Sequence, residues 1–431
     1  MGVLQFVVFL AVVFTVLGLI HYYLWRKLIR STTTTRRARR IGTWTVLGIV
    51  ALVVVTFIAE DALPPGYAQL LAWPGYLWVA LMFYLLVVLA VLELPALVAR
   101  LVIRRRYRAA TTVDERVLAT VSAGAHSAGT DLRDADPPAG SGTNPDPPSG
   151  LTPAGESRRV FLARTIAVTA GVAAVGIVGS GVASALGPPR IRRVQIPLAK
   201  LGRGADGLRI AVVSDIHLGP LLGVDHTSRI VDHINGLDAH AVAVVGDLVD
   251  GTVEDLGPAA APLANLRSRY GSFFVTGNHE YFSGHQPWVE EELPSLGLRV
   301  LRNERVELPA GLDLAGVNDI NGRTYGDGPD LVKAMAERDP SRPVVLLAHQ
   351  PAIAAEAARH GVDLQLSGHT HGGQMVPFNL VVRLSGQPIV SGLGEVDGMP
   401  VFVTNGAGFW GPPVRVGAPP EITLVELRST Q

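Results

Sequence analysis

The stretch Gly368-His369-Thr370-His371-Gly372-Gly373 decides how this chain is interpreted. It follows the apolar run from Val362 to Ser367, which is typical of a buried strand. Two imidazoles one residue apart at the end of such a run are poor core residues but good metal ligands. A metal ion needs further ligands, so other parts of the chain have to supply them.

Four other short segments carry the missing types of ligand, and each follows a run that is typical of a buried strand. They are Asp215-Ile216-His217, Gly246-Asp247-Leu248-Val249-Asp250, Gly277-Asn278-His279-Glu280 and Ala348-His349-Gln350-Pro351. Together they offer carboxylates, imidazoles and one amide. These proportions suit a site in which two metal ions act on a phosphoester.

Length and composition restrict the class of protein. The chain has 431 residues, which exceeds a usual single domain, and 48% of them are hydrophobic while 17% are charged. With a mean hydropathy of +0.31, it is too apolar for an entirely soluble protein. The net charge of zero gives no reason to expect a nucleic acid as a partner. Because cysteine is absent, metal ligands must come from His, Asp, Glu and Asn.

Three apolar runs within residues 1–108 predict transmembrane helices, each long enough to cross a bilayer at about 1.5 Å per residue. They extend from about Val3 to Trp25, from Ile41 to Ala59 and from Trp73 to Ala99. Basic clusters follow the first and third runs, whereas the connection after the second run carries Glu60 and Asp61. The positive-inside rule therefore places both basic clusters in the cytoplasm and the amino terminus outside.

Residues 109–156 are rich in Ala, Gly, Ser, Thr, Asp and Pro. Asp136-Pro137-Pro138 and Asp146-Pro147-Pro148 are strong helix breakers. Such a segment buries too little apolar surface to order itself, so we expect a disordered cytoplasmic linker.

Residues 157–188 allow two interpretations. Ser157-Arg158-Arg159-Val160-Phe161-Leu162 and the apolar run from about Thr165 to Leu186 resemble a twin-arginine export signal, which would make the export machinery a partner. They are equally typical of a fourth membrane helix with a basic cytoplasmic end. Both interpretations place the following residues outside the cytoplasm, although the basic residues from Arg190 to Arg203 oppose this orientation. Ala183-Ser184-Ala185 also resembles a cleavage site.

Residues 205–431 have the pattern of an α/β domain with layers of sheet and helix. Predicted strands are Arg209 to Ser214, His240 to Val245, Ser272 to Thr276, Pro343 to Ala348 and Val362 to Ser367, with a strand pair at Leu298 to Leu308 and Leu312 to Val317 and further strands between Pro400 and Leu427. Predicted helices are Thr227 to Asn235, Pro262 to Tyr270, Trp288 to Leu296, Asp330 to Arg338 and Ala352 to His360. In this arrangement function is expected at the strand ends.

Hydrolysis of a phosphoester requires neutralised phosphate oxygens and an activated water near neutral pH. Two divalent ions about 3.5 to 4 Å apart supply both when one carboxylate bridges them. Asp247 is the best candidate for the bridge, since it follows a buried strand and Gly246 lets the backbone approach closely.

The five motifs, in this order, resemble those of the calcineurin-like metallophosphoesterase superfamily over roughly Arg209 to Leu427. The resemblance implies a β-sandwich flanked by helices. It also implies a first metal held by Asp215, His217, Asp247 and His371, and a second held by Asp247, Asn278, His349 and His369. The metals would be Mn, Fe, Zn, Co or Ni. His279 would contact the phosphate or protonate the leaving oxygen, and Asp250 would orient it.

The combination with apolar helices is similar to bacterial membrane-bound members of this superfamily, some of which cleave the pyrophosphate bond of UDP-diacylglucosamine. We therefore expect a membrane-anchored, extracytoplasmic phosphoesterase whose phosphodiester or pyrophosphate substrate lies at the membrane, for example a lipid-linked one. The alternatives are a membrane-tethered metal-binding sensor and a cytoplasmic enzyme. Phe409 and Trp410 are expected to pack in the core or at a rim rather than to form a platform for substrate. Arg323 and Arg415 are candidates for phosphate binding, but we expect them to lie on the solvated surface.

Overall fold

A computed structural model describes residues 3–124 and 153–431. The chain forms two compact units: Met1–Leu47 with Met82–Ala174, and Gly48–Leu81 with Val175–Gln431. The centre of the expected linker, residues 125–152, lies outside the described residues.

The amino-terminal half is helical. It contains α1 (Val3–Leu24), which continues as a π-helical segment (Trp25–Arg30), then α2 (Arg36–Ala62), α3 (Pro65–Gly124) and α4 (Pro153–Leu186). Among the residues that the structure describes, four spans are long and apolar enough to cross a membrane: Ala11–Arg30, Arg36–Glu60, Pro65–Pro95 and Arg159–Leu186. Large apolar side chains on them are exposed, including Trp44 at 68% and Leu70 at 74%. Exposed apolar surface of this extent is typical of helices that face lipid.

The described ends of the expected linker are helical. Helix α3 continues through Pro95 and ends only at Gly124, and α4 already begins at Pro153. Residues 109–123 contain Ala, Arg, Glu and Leu but neither glycine nor proline. The absence of both helix-breaking residues allows α3 to extend beyond its apolar part.

The carboxyl-terminal half contains two six-stranded sheets. The strands are β1 (Arg190–Leu198), β2 (Leu208–Val213), β3 (Ala241–Val245), β4 (Ser272–Val275), β5 (Leu298–Val300), β6 (Glu304–Leu308), β7 (Leu312–Gly316), β8 (Val344–Leu347), β9 (Leu364–Ser367), β10 (Gly392–Val396), β11 (Met399–Val403) and β12 (Glu421–Ser429). The first sheet has the order β1-β12-β2-β3-β4-β5 and the second has the order β10-β11-β9-β8-β7-β6. Strands β2 to β5 are parallel, and so are β7, β8, β9 and β11.

Short helices connect these strands. They are α5 (Val224–Asn235), α6 (Val253–Ala260), α7 (Asn278–Phe282), α8 (His285–Pro287), α9 (Leu293–Ser295), α10 (Leu331–Ala334), α11 (Ala354–Arg359) and α12 (Asn379–Leu384). The two sheets share one apolar core that includes Ile210 and Val245 of the first sheet and Leu314 and Leu366 of the second. A second core lies between the first sheet and α5, α6 and α9, and a third lies between the second sheet and α10 and α11. The predicted layered α/β sandwich is confirmed.

The structure differs from the sequence prediction in several details, among them strand β10, which was not predicted. Strand β1 was not predicted, and it begins upstream of residue 205; its charged residues fit an edge strand, which pairs with β12 alone. The predicted strand from Leu298 to Leu308 is two strands in different sheets, separated by a turn in which Asn303 has a φ of 55°. The predicted helix from Pro262 to Tyr270 is wrong, since only a 3-10 turn (Ala261–Asn265) follows α6.

The strand ends bring the polar motifs together. In the first sheet the motifs follow the carboxyl ends of the parallel strands β2, β3 and β4, and in the second sheet they follow β8 and β9. Since the carboxyl ends of parallel strands meet at one edge of a sheet, both sheets deliver their loops to a common site.

Candidate metal centre

The first group of potential ligands consists of Asp215, His217 and His371, whose ligand atoms lie within 4.8 Å of one another. Nε2 of His217 lies 3.1 Å from Nε2 of His371, and Oδ1 of Asp215 lies 3.4 Å from that same nitrogen. All three side chains are largely buried, so any cation between them is shielded from bulk water. We call this group the first triad.

The second triad consists of Asp247, His349 and His369. Nε2 of His349 lies 3.0 Å from Oδ2 of Asp247, and the ring centroids of His349 and His369 are 5.1 Å apart in an edge-to-face arrangement. Asp247 also lies 3.9 Å from Nε2 of His217 in the first triad. It therefore occupies the position that a carboxylate shared by two ions requires.

Neighbouring groups orient three of the imidazole rings. Oδ1 of Asp250 accepts hydrogen bonds from Nδ1 of His217 at 2.9 Å and from Nδ1 of His279 at 2.8 Å. Nδ1 of His349 donates to the backbone carbonyl of Val245 at 2.8 Å. With the proton fixed on Nδ1, Nε2 of His217 and of His349 can direct a lone pair into the site.

Several buried atoms lack the partners that their chemistry demands. Oδ1 of Asn278 and Nε2 of His349 are buried and make no hydrogen bond with any residue that the structure describes. Nε2 of His349 does lie 3.0 Å from Asp247, but a neutral ring that donates through Nδ1 presents one acceptor to another there. Only a positive charge, a proton or a metal ion, relieves this arrangement, so the residues fit divalent cations.

The pKa values of the histidines agree with the need for a positive charge between these groups. Burial lowers the pKa of His349, but the charge of Asp247 outweighs it and raises the pKa well above its ordinary value. Burial lowers the pKa of His369 to about 3 and depresses that of His371 strongly. Both rings of the Gly-His-Thr-His motif are therefore neutral at pH 7, which is the form that binds metals.

The loops hold these side chains in a strained backbone conformation. Asp215, His217, Asp247, His369 and His371 all have positive φ, between 51° and 71°. Each such residue costs about 1 kcal/mol or more, and strain of this kind concentrates at functional sites. Gly246 is required between them, because a Cβ there would lie 2.7 Å from the backbone nitrogen of Gly277 and from Nδ1 of His349.

Glu280 connects the loops after β3 and β4, a role that its position in the sequence did not indicate. Its buried carboxylate accepts hydrogen bonds from the backbone amides of Asp247 at 3.0 Å, Leu248 at 2.7 Å and Gly277 at 2.5 Å. Since those amides flank potential ligands in both loops, Glu280 fixes the spacing between the loops.

Arg415 corrects the expectation of a solvated surface residue, since it is only 2% exposed. Its guanidinium donates to the carbonyls of His371 at 2.9 Å and Asn405 at 2.8 Å, and contacts Nδ1 of His371 at 3.1 Å. Burial lowers its pKa to about 10, so it is still a cation at neutral pH. The sequence did not indicate these contacts, because Arg415 lies 44 residues beyond His371. Arg323 is exposed, as expected.

Aromatic side chains line the opening beside His279. Trp410 is 59% exposed, and its ring centroid lies 5.7 Å from that of His279, while the exposed Phe282 lies 5.5 Å away on another side. Phe409 is buried against Ala185 and Leu222. Trp410 is therefore a rim residue and Phe409 a packing residue, in agreement with the sequence analysis.

His279 has the environment of a proton donor. Burial lowers its pKa, but the hydrogen bond to Asp250 and the charges of Asp247 and Asp250 raise it to about 9. Its ring also packs edge-on against His217 at 4.7 Å. A protonated imidazole beside two potential cation sites can neutralise charge that develops on a leaving oxygen.

Comparison with known proteins shows which family this chain resembles. The family described as calcineurin-like phosphoesterase matches residues 208–373. An uncharacterised metallophosphoesterase of Helicobacter pylori strain J99 is 40% identical over 274 residues, which are 63% of this chain and 72% of that protein. A transmembrane protein with metallophosphoesterase domain from Danio rerio is 38% identical over 286 residues, 64% of each chain. The solved calcineurin-like phosphoesterase YfkN of Bacillus subtilis aligns with 16% identity and a TM-score of 0.30 over 47% of this chain and 82% of that one.

The order of the motifs, the α/β sandwich and the identity to the Helicobacter pylori protein lead to one assignment. The chain belongs to the calcineurin-like metallophosphoesterase family, and it is a metal-dependent phosphoester hydrolase.

Proposed function

We propose that this protein is a membrane-anchored hydrolase that cleaves a phosphodiester or pyrophosphate bond in a lipid-linked substrate, for example one of the UDP-diacylglucosamine type. The observation that carries the hydrolytic part is the pair of triads that meet at Asp247. Each triad gathers carboxylate and imidazole groups in a buried place, which is the donor set that a divalent cation requires.

Seven residues would hold the two divalent ions. The first site would use Asp215, His217, Asp247 and His371, and the second would use Asp247, Asn278, His349 and His369. When bound, the ions would neutralise phosphate oxygens and lower the pKa of water. Oxygen and nitrogen ligands without a thiolate suit Mn, Fe, Zn, Co or Ni.

The protein's own groups would then orient the substrate and supply a proton. His279, held by Asp250 at 2.8 Å, would donate its Nε2 proton to the leaving oxygen. Asp250 would act through His217 and His279 together, because it accepts a hydrogen bond from both rings. The indole of Trp410 would cover the side of His279 that faces the opening and reduce its contact with water.

Contacts of helix α4 support a substrate at the membrane. Its last residues, 175–186, belong to the same unit as the sheets. The carbonyl of Gly181 accepts a hydrogen bond from the backbone nitrogen of Arg415 at 2.9 Å, and Ala185 packs against Phe409. The loop that carries the rim residue Trp410 is thus attached directly to the end of an apolar helix that is long enough to span a bilayer.

An apolar surface next to the centre supports the lipid-linked substrate. Leu380, Val381 and Leu384 of α12 are exposed, Leu384 at 87%. The start of α12 contacts the loop that carries His369 and His371, since a Cβ on Gly373 of that loop would lie 2.4 Å from Cα of Asn379. Exposed aliphatic side chains beside a phosphoesterase site fit the acyl chains of a substrate or the lipid surface itself.

The charges around α4 support the proposed extracytoplasmic position of the catalytic domain, because the amino-terminal end of this helix carries Arg158 and Arg159. The basic residues after α4 opposed this orientation in the sequence. In the structure, however, Arg190, Arg192 and Arg193 belong to β1, and Arg192 lies 3.7 Å from Glu421. Charges inside a folded domain weigh little in the positive-inside rule, so these arginines are a weaker argument against the proposed orientation than they are in the sequence alone.

The continuous helix α4 favours a fourth membrane helix over a twin-arginine signal that is cut. Arg159 and the whole apolar run lie within α4, and Ala185 of the possible cleavage site is buried. A reporter fused after Gln431 should be active only outside the cytoplasm. Activity confined to the cytoplasm would identify the cytoplasmic enzyme instead.

The test of hydrolysis uses the purified full chain in detergent with added Mn. We expect turnover of a phosphodiester and faster turnover of a lipid-linked pyrophosphate. Asp247→Asn should abolish both, whereas Asp225→Asn, at an exposed position of α5, should leave both unchanged. Bound metal without turnover on any phosphoester would favour the sensor, and equal rates for lipid-linked and soluble substrates would exclude the lipid preference.

A further inference from the structure

We infer that the helical unit carries a second ligand site, a pocket for the phosphate of an anionic phospholipid. A cavity of about 620 Å³ lies among the end of α1, the start of α2, the middle of α3 and the start of α4. All of its lining residues belong to the unit Met1–Leu47 with Met82–Ala174. The inference goes beyond the proposed hydrolysis and depends only on the proposed position of the helices in a membrane.

The cavity is strongly basic. Its lining includes Arg26, Lys27, Arg30, Arg39 and Arg159, against one carboxylate, Glu93. Glu93 is already paired with Lys27 at 2.6 Å. Within residues 3–124 and 153–431, the four arginines form no ion pair, and Arg39 donates only to the carbonyl of Thr33 at 3.2 Å.

The tertiary structure gathers these charges from distant parts of the chain. Arg159 comes from the start of α4, whereas Arg26 and Arg30 come from the π-helical end of α1. The four arginines are exposed, so water already weakens the repulsion between them, and a bound anion would reduce it further. The planar, five-donor guanidinium is suited to phosphate oxygens, which it binds in pairs of hydrogen bonds.

The cavity lies where a lipid headgroup would be. The first apolar span ends at Arg30, the second begins at Arg36 and the fourth begins at Arg159, so three span ends meet beside it. These are the ends that the positive-inside rule assigns to the cytoplasmic leaflet, in which anionic lipids attract basic residues.

An apolar wall distinguishes a phospholipid from free phosphate. Leu89 of α3 and Leu162, Ala163 and Ile166 of α4 line the same cavity. The exposed Leu162 continues this apolar surface outward. A ligand that places a phosphate between the arginines and a hydrocarbon chain along this wall satisfies both halves of the cavity, whereas inorganic phosphate satisfies only one.

The test uses the full chain in a neutral detergent. Three probes are titrated: phosphatidylglycerol, phosphatidylcholine and inorganic phosphate, with binding followed by native mass spectrometry and by thermal unfolding. We expect phosphatidylglycerol to bind and to raise the unfolding temperature, with little effect of the other two. Equal effects of phosphatidylglycerol and inorganic phosphate would overturn the assignment to a lipid.

The matched variants remove two charges each. Arg30→Gln with Arg159→Gln should weaken phosphatidylglycerol binding about thirtyfold. Arg36→Gln with Arg37→Gln removes two exposed arginines of the same region that do not line the cavity, and should weaken binding much less. An equal loss in both pairs would show attraction to net charge only, which contradicts a defined site.

Two further variants separate this site from folding and from hydrolysis. Ala163→Trp fills the apolar wall without removing charge, and should also abolish lipid binding. An unchanged helical content by circular dichroism shows that the helical unit is folded, and Mn binding shows the same for the catalytic unit. Unchanged lipid binding in Ala163→Trp would exclude the cavity as the site. Asp247→Asn should bind phosphatidylglycerol normally, so a failure of the hydrolytic proposal would leave this result intact.

Discussion

The two triads of the metal centre present similar ligands but are held in place by different means. In the first, His217 is oriented by Asp250 and His371 by Arg415, both through side chains. In the second, His349 is oriented by the backbone carbonyl of Val245. Side-chain partners can be removed one at a time, whereas a backbone partner can be disturbed only by moving the chain. The first triad should therefore be sensitive to polar substitutions and the second to steric ones.

The largest effect is expected where the triads meet. Asp247→Asn removes the shared charge, so both ions should be lost together. Metal analysis of the purified chain should fall from two ions towards none, with turnover at background. Retention of one tightly bound ion would show that Asp247 belongs to a single triad.

Asp250→Asn tests the side-chain support of the first triad. It weakens the hydrogen bonds to His217 and His279, and loss of such an orienting partner typically costs about 10-fold to 100-fold in metal affinity or activity. We expect that loss in turnover, with one ion released more easily by a chelator than the other. Equal release of both ions would contradict the separate support of the triads.

Arg415→Met should affect the first triad alone. The change leaves the carbonyls of His371 and Asn405 without their donor in a buried place, at a cost of about 1 to 3 kcal/mol for each unpaired group. We expect lower thermal stability and weaker binding of one ion. Arg323→Met, at an exposed position, is the control and should change neither property.

Gly246→Ala tests the steric support of the second triad. The new Cβ would contact Nδ1 of His349 at 2.7 Å and should displace that ring from the Val245 carbonyl. Gly311→Ala is matched, because its φ of +79° is close to the +76° of Gly246 while no atom lies within 4 Å of its Cβ position. Only Gly246→Ala should lower metal binding, and an equal effect in both would assign the loss to backbone strain.

The smallest effect on activity is expected for His226, whose titration changes the stability of the fold with pH but does not involve the triads. Burial lowers the pKa of His226 to about 4, below its ordinary value of 6.5. The stability that this neutral histidine contributes is fully present above pH 6.5 and is lost as the pH falls towards 4, by about 3 kcal/mol. His226→Leu should flatten that part of the stability profile in metal-free protein while turnover at pH 7.5 is unchanged. An unaltered profile would place the titration in the metal ligands.

Much of the site was predictable because its residues directly follow strands. Each motif comes at the carboxyl end of an apolar run, and such runs are recognisable without knowledge of their partners. The edge strand β1 was missed although Val194, Ile196 and Leu198 alternate with polar residues or proline, because its three arginines and Pro197 obscure that pattern. The turn at Asn303 was missed because the residues on both sides of it have similar apolar patterns.

Glu280 and Asp250 could be identified from the sequence more easily than Arg415. Glu280 and Asp250 lie within motifs, so their presence was evident, but the amides and rings that they contact come from other loops. Arg415 has no motif around it. Its burial depends on the packing of the loops that follow β9 and β11, which no local pattern encodes.

Local hydrophobic periodicity and residue chemistry predicted the four apolar helices, the layered α/β domain and the set of polar residues available to metal ions. The tertiary structure decided which atoms meet. It set Asp247 between the two triads, oriented the histidines through Asp250, Arg415 and Val245, and brought Arg159 beside Arg26 and Arg30. Contacts between residues far apart in the chain depend on the packing of whole sheets and helices, so only the folded molecule reveals them.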